Sequence, residues 1–313
     1  MYDCVIIGGG PGGITAAIYA IRSGMKTVIV EKLGVGGQIA MSDIIENYPG
    51  FPSISGMELM KHFEEHAKSI DAEIKNADVT SIELNGDTKI VHTTTGDIEA
   101  KAVIVVTGAE PKKLGFKGEG AFTGRGISTC ATCDGPFYRN KPIALIGGGD
   151  TAVKESIYLS KIASKVYHIH RRDRFRAESI LRERINSKDN IEFLWNHTTE
   201  EALGNESGVT GIRVKSLETG ETKEIEVDGI FVFVGITPNT GFIDCEKDDQ
   251  GFIVVNQNME TSIPGVYAAG DCRVTPLRQV VTAVGDSAIA AFKAEEYVSE
   301  MEGNSYNKNF SAK

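Results

Sequence analysis

Two glycine-rich loops of the same kind, separated by 139 positions from Gly8 to Gly147, constrain the fold of this chain most strongly. The first reads Gly8-Gly9-Gly10-Pro11-Gly12-Gly13, and the second begins Gly147-Gly148-Gly149. Each loop follows a short apolar run and precedes a helical pattern, which is the order of parts in a dinucleotide-binding unit. After each loop a second strand, a hairpin and a final apolar strand follow in the same order. The sequence therefore predicts an internal duplication.

The C-terminal part of the chain does not belong to the second copy. Gly265 to Asp271 reads as a strand that ends in Gly-Asp, and a helical run follows from Gln279. The simplest topology returns this segment to the first copy. We therefore predict an α/β fold with two Rossmann-like three-layer (β/β/α) dinucleotide-binding domains, the second inserted in the first. The predicted boundaries are 1–112 with 245–313 for the first domain and 113–244 for the second.

Composition excludes several classes of partner. Lys and Arg number 33 against 43 Asp and Glu, a net charge of −10, which would repel a phosphate backbone, so we expect no nucleic-acid partner. The longest apolar runs are far shorter than the roughly 20 residues of a membrane helix, so we expect no membrane partner. Met1 to Ile7 lacks the basic residues of a secretory signal, and we therefore expect a cytoplasmic protein.

The first glycine loop matches the G-x-G-x-x-G pattern at Gly8, Gly10 and Gly13. Glycine at these positions lets the backbone approach a pyrophosphate at the helix N-terminus. Glu31 ends the second strand, where a carboxylate accepts hydrogen bonds from an adenosine ribose hydroxyl. The first copy is therefore predicted to bind an adenine dinucleotide with a free ribose.

The second loop matches the G-x-G-x-x-A variant at Gly147, Gly149 and Ala152. Basic residues occupy the region that corresponds to Glu31 in the first copy: His170, Arg171, Arg172 and Arg176. Guanidinium groups complement a ribose 2′-phosphate, whereas a carboxylate repels it, so this copy is predicted to bind NADP. The alternative is a solvated basic helix start, because further arginines lie nearby.

Cys130 and Cys133 form a Cys-X-X-Cys pair, an arrangement that commonly lowers a thiol pKa into the reactive range. A structural zinc site needs four ligands, and the chain has no second cysteine pair, so we predict a redox pair and no metal, with zinc as the alternative. Asp134 follows directly and either moves a proton to and from a thiolate or caps a turn. A dithiol accepts hydride from a nicotinamide through an intermediary, usually flavin, so FAD is predicted in the first copy.

The chain resembles the low-molecular-weight thioredoxin reductases, in the pyridine nucleotide-disulfide oxidoreductase family, over essentially its whole length. Seven segments carry the resemblance: Gly8-Gly9-Gly10-Pro11-Gly12-Gly13, Gly36-Gly37-Gln38, Glu46-Asn47-Tyr48-Pro49-Gly50-Phe51, Cys130-Ala131-Thr132-Cys133-Asp134-Gly135, His170-Arg171-Arg172, Ala269-Gly270-Asp271 and Arg278-Gln279. The resemblance implies an NADPH-dependent flavoprotein that reduces the disulfide of thioredoxin or a thioredoxin-like protein. It also implies a homodimer.

The resemblance also implies residue roles. Cys133 faces the flavin, Cys130 attacks the partner protein, Asp134 handles the proton, and the second domain rotates between flavin reduction and exposure of the dithiol. The residues expected at FAD are Gly8, Gly10, Pro11, Gly13, Glu31, Lys32, Gly36, Gly37, Gln38, Asn47, Gly108, Gly270, Asp271, Arg278, Gln279 and Val280. Those expected at NADPH are Gly147, Gly149, Asp150, Thr151, His170, Arg171, Arg172 and Arg176.

Two positions depart from the family pattern. Lys154-Glu155 stands where the family often has two glutamates, and Cys272 places a thiol beside Asp271, which we interpret as a buried small side chain. Two alternatives within enzymes remain: a ferredoxin-fed enzyme of the same fold, and an oxidase that runs the dithiol chemistry backward. An alternative of another class is a non-catalytic flavin and nicotinamide sensor with a structural metal.

Overall fold

The computed structural model describes residues 1–42 and 45–304 and divides the chain into two compact units. The first unit comprises Met1–Glu110 and Thr237–Lys313, and the second comprises Pro111–Ile236. The second unit therefore interrupts the sequence of the first. Its ends lie at Pro111 and Ile236, close to the first predicted boundary and several residues before the second.

The N-terminal part of the first unit alternates strands and helices and then forms a hairpin. Its elements are β1 (Tyr2–Ile7), α1 (Pro11–Arg22), β2 (Thr27–Glu31), α2 (Gly56–Ser69), β3 (Glu73–Asn76), β4 (Val79–Asn85), β5 (Thr88–Thr93), β6 (Gly96–Val105) and β7 (Ala109–Pro111). The helix α2 begins where Ser55 accepts a hydrogen bond from the backbone N–H of Glu58, at 3.2 Å. The hairpin turns at Gly86, whose φ of 59° suits the predicted Asn85-Gly86 turn.

The second unit repeats this order of parts. Its elements are α3 (Glu119–Phe122), β8 (Ile127–Ser128), α4 (Ala131–Asp134), β9 (Pro142–Gly147), α5 (Asp150–Leu159), β10 (Lys165–His170), α6 (Ser179–Asn186), β11 (Ile191–Trp195), β12 (His197–Asn205), β13 (Gly208–Ser216), β14 (Thr222–Glu226) and β15 (Gly229–Phe233). The chain continues through β16 (Ile236–Pro238), β17 (Val266–Ala268) and α7 (Val280–Met301).

The strand order shows the duplication. In the first unit β1 lies between β2 and β6, and in the second β9 lies between β10 and β15, all in parallel. The first sheet has the order β3-β2-β1-β6-β5-β4, with β17 paired to β6, and the second has the order β11-β10-β9-β15-β8. The hairpin strands β4 and β5 continue the first sheet, whereas β12, β13 and β14 form a separate sheet. The predicted α/β fold class is confirmed.

The central strands are buried on both faces, which explains their unbroken Val and Ile composition. Ile6, Ile29 and Ile104 lie fully buried on one face of the first sheet, where they pack with residues of α1 and α7. The two helices meet through small residues: Ala16, Ala17 and Ala20 in α1, and Ala290, Ala291 and Ala294 in α7. Small side chains allow this close approach of the helix backbones.

In both glycine loops, close backbone contacts leave no room for a side chain at particular positions. A Cβ atom added to Gly13 would lie 1.8 Å from the carbonyl oxygen of Gly8, so the first turn of α1 rests directly on the end of β1. Gly8 itself has a φ of 113°. In the second loop Ala152 replaces the third glycine, and a Cβ on Gly147 would lie 2.5 Å from the Ala152 Cβ. In the first loop neither member of the pair has room for a methyl group, since a Cβ on Gly8 would lie 2.4 Å from the Val106 carbonyl oxygen, whereas in the second loop Ala152 carries one.

We expect Gly13→Ala to unfold at a temperature roughly 6 to 12 °C lower than the unchanged chain, because a methyl group forced against backbone costs about 3 kcal/mol. Gly10→Ala is the matched control, since no described atom lies within 4 Å of a Cβ added there. Thermal unfolding of the two variants without added ligand makes the comparison. Equal melting temperatures would show that the loop relaxes around the methyl group.

Candidate functional site

The first glycine loop and the end of β2 form one side of the candidate site. The backbone N–H of Gly9 donates to Glu31 Oε2 at 2.6 Å, and the N–H of Leu33 donates to Oε1 at 2.9 Å. These bonds hold the Glu31 carboxylate beside the loop, with Lys32 exposed next to it. Pro11 occupies the first turn of α1, where its missing N–H costs nothing.

Gly36 and Gly37 lie against the same loop. The N–H of Gly36 donates to the Gly9 carbonyl oxygen at 3.1 Å, and a Cβ added to Gly37 would lie 3.4 Å from the Gly10 Cα. Both have a positive φ, 145° and 60°, which suits glycine. Gln38 follows and is exposed. The structure thus brings the two predicted glycine segments together.

Predicted residues from distant parts of the chain also meet at the start of α7. Asn47 Nδ2 donates to Gln279 Oε1 at 2.9 Å, although 232 positions separate the two residues. Gln279 caps α7 and forms a reciprocal capping pair with Thr282. Val280 packs against the small cluster of Ile45, Ile54 and Leu59.

Asp271 lies in a turn before α7, with its Oδ1 atom buried. This atom has no hydrogen-bond partner within the part of the chain that the structure describes. Burial, together with the nearby Asp286, raises the pKa of Asp271 to about 6 against the opposing effect of Arg278 and Arg273. A buried carboxylate oxygen without a donor is costly, and a ligand hydroxyl would satisfy it.

Arg278 carries a buried donor that lacks a partner among the described residues, as Asp271 carries such an acceptor. Its guanidinium lies 4.3 Å from the centroid of the Phe252 ring, and Nη1 donates to the Thr275 carbonyl at 3.4 Å. The Nε atom is buried without a partner among the described residues, and burial lowers the pKa of the group. An orphaned donor on Arg278 and an orphaned acceptor on Asp271 fit a large polar cofactor such as FAD, with hydroxyls and ring acceptors.

Gly108, another predicted FAD residue, follows the final strand of the first copy. Its φ is 68°, and its carbonyl accepts from the N–H of Asn239 at 3.1 Å. Asn239 also donates through Nδ2 to the Thr107 carbonyl at 3.1 Å, while Thr107 Oγ1 donates to the Asn239 carbonyl at 2.6 Å. Sequence reasoning did not single out Asn239 or Phe252, because both act through contacts that lack a local pattern.

In the second unit, His170 lies directly over the glycine loop. A Cβ added to Gly148 would lie 2.0 Å from the His170 ring, so only glycine fits there. His170 Nε2 is buried without a partner in the described residues. Burial lowers the pKa of His170, and Arg176, Arg172 and Arg171 lower it further. The neutral ring is therefore favoured beside the arginines.

The loop after β10 is tied to the glycine loop by backbone hydrogen bonds. The N–H of Arg176 donates to the Gly148 carbonyl at 2.9 Å, and the N–H of Glu178 donates to Asp150 Oδ1 at 2.9 Å. Arg171, Arg172 and Arg176 are all exposed, as is Thr151 in the first turn of α5. This arrangement holds three cations beside a helix N-terminus, which suits a phosphorylated dinucleotide.

Cys130 and Cys133 form a disulfide with their Cα atoms 5.3 Å apart. The N–H of Cys133 donates to Cys130 Sγ at 3.2 Å, and the N–H of Asp134 donates to the Cys130 carbonyl at 3.1 Å. Both cysteines are partly exposed. This contact places a hydrogen-bond donor at the sulfur of Cys130.

The other cysteines have a different environment. Cys4 and Cys272 are fully buried, and Cys245 is partly buried. Burial raises the pKa of Cys272 to about 11 and also raises that of Cys4 and Cys245. A thiol at such a pKa is unreactive near neutral pH, which matches the interpretation of Cys272 as a packing residue.

Across residues 1–42 and 45–304, no three His, Cys, Asp or Glu side chains are grouped to hold a metal ion. No helix in the same residues has the length and apolar character to cross a lipid bilayer. At the first departure from the family pattern, Lys154 is exposed, and burial raises the pKa of its half-buried neighbour Glu155.

Comparison with known proteins agrees with this geometry. The family model described as pyridine nucleotide-disulphide oxidoreductase matches residues 2–287. The chain is 42% identical over 308 residues to the thioredoxin reductase of Bacillus subtilis, and the match covers 96% of each protein. It is 43% identical over 303 residues to the thioredoxin reductase of Treponema pallidum, covering 96% of this chain and 98% of that protein.

Solved structures give the same result. The crystal structure of the thioredoxin reductase from Streptococcus pyogenes superimposes with a TM-score of 0.92 at 42% identity, covering 96% of this chain and 99% of that one. The family resemblance predicted from the sequence motifs, and the prediction of an oxidoreductase, are confirmed. The chain belongs to the pyridine nucleotide-disulphide oxidoreductase family.

Proposed function

We propose that this chain is an NADPH-dependent flavoenzyme that reduces the disulfide of thioredoxin or a thioredoxin-like protein. The observation that carries the proposal is the partly exposed Cys130–Cys133 disulfide in a chain with one acidic and one basic dinucleotide loop. The relatives in Bacillus subtilis and Treponema pallidum, which are named thioredoxin reductases, support it. When bound, NADPH supplies a hydride, and FAD converts it into the electron pair that reduces a disulfide.

The FAD site is proposed in the first unit. The glycine loops would hold the pyrophosphate, and Glu31 would accept hydrogen bonds from the ribose. Asp271 Oδ1 would accept a hydrogen bond from a cofactor hydroxyl, and Arg278 Nε would donate to a cofactor acceptor. Both of these atoms are otherwise buried without partners in the described chain.

The NADPH site is proposed in the second unit. The N-terminus of α5 would hold the pyrophosphate, and Arg171, Arg172 and Arg176 would bind the 2′-phosphate. Two hydrogen bonds support this loop, one to the Gly148 carbonyl and one to the Asp150 side chain. The His170 ring fills the space over Gly148.

The reduced cysteines act by thiol–disulfide exchange. The Cys130 thiolate attacks one sulfur of the thioredoxin disulfide, forming a mixed disulfide and releasing the other sulfur as a thiolate. Asp134 transfers a proton to that thiolate. The Cys133 thiolate then attacks Cys130, which regenerates the Cys130–Cys133 disulfide and releases reduced thioredoxin.

A homodimer in the cytoplasm completes the proposal. The exposed face of α7 carries large apolar side chains, Val281, Ile289 and Phe292, which are 42%, 42% and 55% exposed. A run of apolar surface along a helix is typical of a protein interface. Sedimentation of the purified chain measures its mass directly.

Anaerobic mixing with candidate donors tests the function. We expect NADPH to bleach the bound flavin rapidly and to support turnover on thioredoxin. Reduced ferredoxin as the only effective donor would favour the ferredoxin-fed alternative. In a separate aerobic assay, oxygen consumption with a small dithiol as the reductant, without turnover on thioredoxin, would favour an oxidase.

We expect the double variant Arg171→Ala with Arg172→Ala to raise the KM for NADPH and leave that for NADH nearly unchanged. Each charge-assisted hydrogen bond to a phosphate contributes about 1.5 to 3 kcal/mol, so the loss in discrimination is about 10- to 150-fold per arginine. Arg182→Ala with Arg184→Ala is the matched control on the neighbouring helix. Equal losses with both donors would assign Arg171 and Arg172 to the fold.

We expect Cys133→Ser, but not Cys130→Ser, to form a stable mixed disulfide rapidly with thioredoxin. The partner is a thioredoxin with one active-site cysteine, activated by thionitrobenzoate, whose release is followed by absorbance. Cys130 is the predicted nucleophile because its sulfur accepts the Cys133 N–H. The double serine variant controls for reaction at other cysteines. Faster trapping by Cys130→Ser would reverse the two roles.

We expect Asp271→Asn to stabilise the flavin-free chain at pH 8 while weakening FAD binding. The raised pKa of about 6 means that folding favours the protonated carboxyl. The stability that the protonated carboxyl contributes is therefore fully present below the ordinary pKa of 3.8 and is lost as the pH rises through 6. Removal of this penalty is worth about 3 kcal/mol at pH 8 and close to nothing below about pH 3. Thermal unfolding across this range measures it, with Asp189→Asn as the exposed control.

A further inference from the structure

Arg273 and Asp286 form an ion pair that the proposed chemistry does not use. Arg273 Nε donates to Asp286 Oδ2 at 2.8 Å, and Nη2 donates to Oδ1 at 2.7 Å, so the pair is bidentate. Only 15% of the Arg273 side chain and 12% of the Asp286 side chain are exposed. A pair this buried holds its geometry far better than a surface pair.

The pair fixes the turn that carries Asp271. Asp286 Oδ2 also accepts from the backbone N–H of Gly270 at 3.2 Å, so one carboxylate on α7 holds the residue before Asp271 and the side chain two residues after it. Arg273 Nη1 donates to the Val274 carbonyl at 2.8 Å, which holds the segment that follows the turn. Gly270 has a φ of 70° and packs closely on α7, since an added Cβ would lie 3.2 Å from the Ala283 Cβ.

The same two side chains also act on the charge of Asp271. Asp286 favours the protonated form of that carboxyl, and Arg273 favours the ionised form. Because the two effects are opposite, the intact pair is nearly neutral toward the site. Loss of either partner leaves one uncompensated charge next to Asp271.

We propose that Arg273 and Asp286 are positioning residues for the flavin site, which hold the Asp271 turn on α7 and balance the charge around it. The inference rests on the proposed function, because it assigns FAD to the site of Asp271. Neither residue is proposed to touch the reacting atoms. Their effect on the cofactor passes through Asp271.

The test is a double-mutant cycle on the full chain with FAD. Arg273→Met leaves an extra negative charge, and Asp286→Asn leaves an extra positive one. We expect both single variants to bind FAD about tenfold more weakly, equivalent to about 1.4 kcal/mol. We expect the midpoint potential of the flavin to fall in Arg273→Met and to rise in Asp286→Asn, because negative charge disfavours the electron-rich reduced ring and positive charge favours it.

The double variant Arg273→Met with Asp286→Asn separates the effect of the charge balance on the flavin from the effect of losing the ion pair. It should return the potential close to that of the unchanged protein, although the ion pair is still absent. Lys293→Met with Glu296→Gln, which removes another ion pair on α7, is the matched control and should change neither FAD affinity nor potential. If a single variant does not fold, the other single variant and the double variant still give the sign of the shift.

The outcomes separate the two proposals. Shifts of the same sign in both single variants, or unchanged FAD affinity and potential, would overturn the positioning role. Failure of the unchanged protein to bind FAD would instead overturn the proposed function. Opposite shifts with recovery in the double variant support the inference.

Discussion

The contact between Gly13 and the Gly8 carbonyl determines how the rest of the first unit is arranged. With no side chain between them, α1 begins directly on the end of β1, and its unpaired N–H groups face the same edge as the loop. The second unit achieves the same approach with Gly147 and Ala152. The same steric requirement, a helix that begins directly on the end of a strand, therefore occurs in both units.

At the end of the second strand, the two copies differ in charge. In the first, both oxygens of Glu31 accept backbone N–H groups at the loop, which keeps a carboxylate at the ribose position. In the second, the equivalent strand ends in His170 and continues into exposed arginines. The same strand–loop–helix arrangement therefore presents opposite charges, and in the proposed function a few residues after the second strand would select the cofactor.

Two buried polar groups at the proposed flavin site lower the stability of the folded chain. Asp271 Oδ1 and Arg278 Nε are buried without partners in the described residues, and the pKa of Asp271 is raised to about 6. Such groups destabilise a folded chain unless a ligand satisfies them. The buried Arg273–Asp286 pair and the Phe252 ring hold these two groups in place.

The duplicated α/β fold could be predicted from the sequence, as could the acidic and basic residues after the two second strands and the Cys-X-X-Cys pair, because each depends on local spacing. The packing of the whole chain sets which distant residues meet. Asn47 reaches Gln279 across 232 positions, and Asp286 reaches back to Gly270 and Arg273 from a helix. It also decided which atoms are left without partners, as in Asp271 and Arg278. The physical reason is that burial and long-range contact depend on how the whole chain packs, and a local pattern carries no record of either.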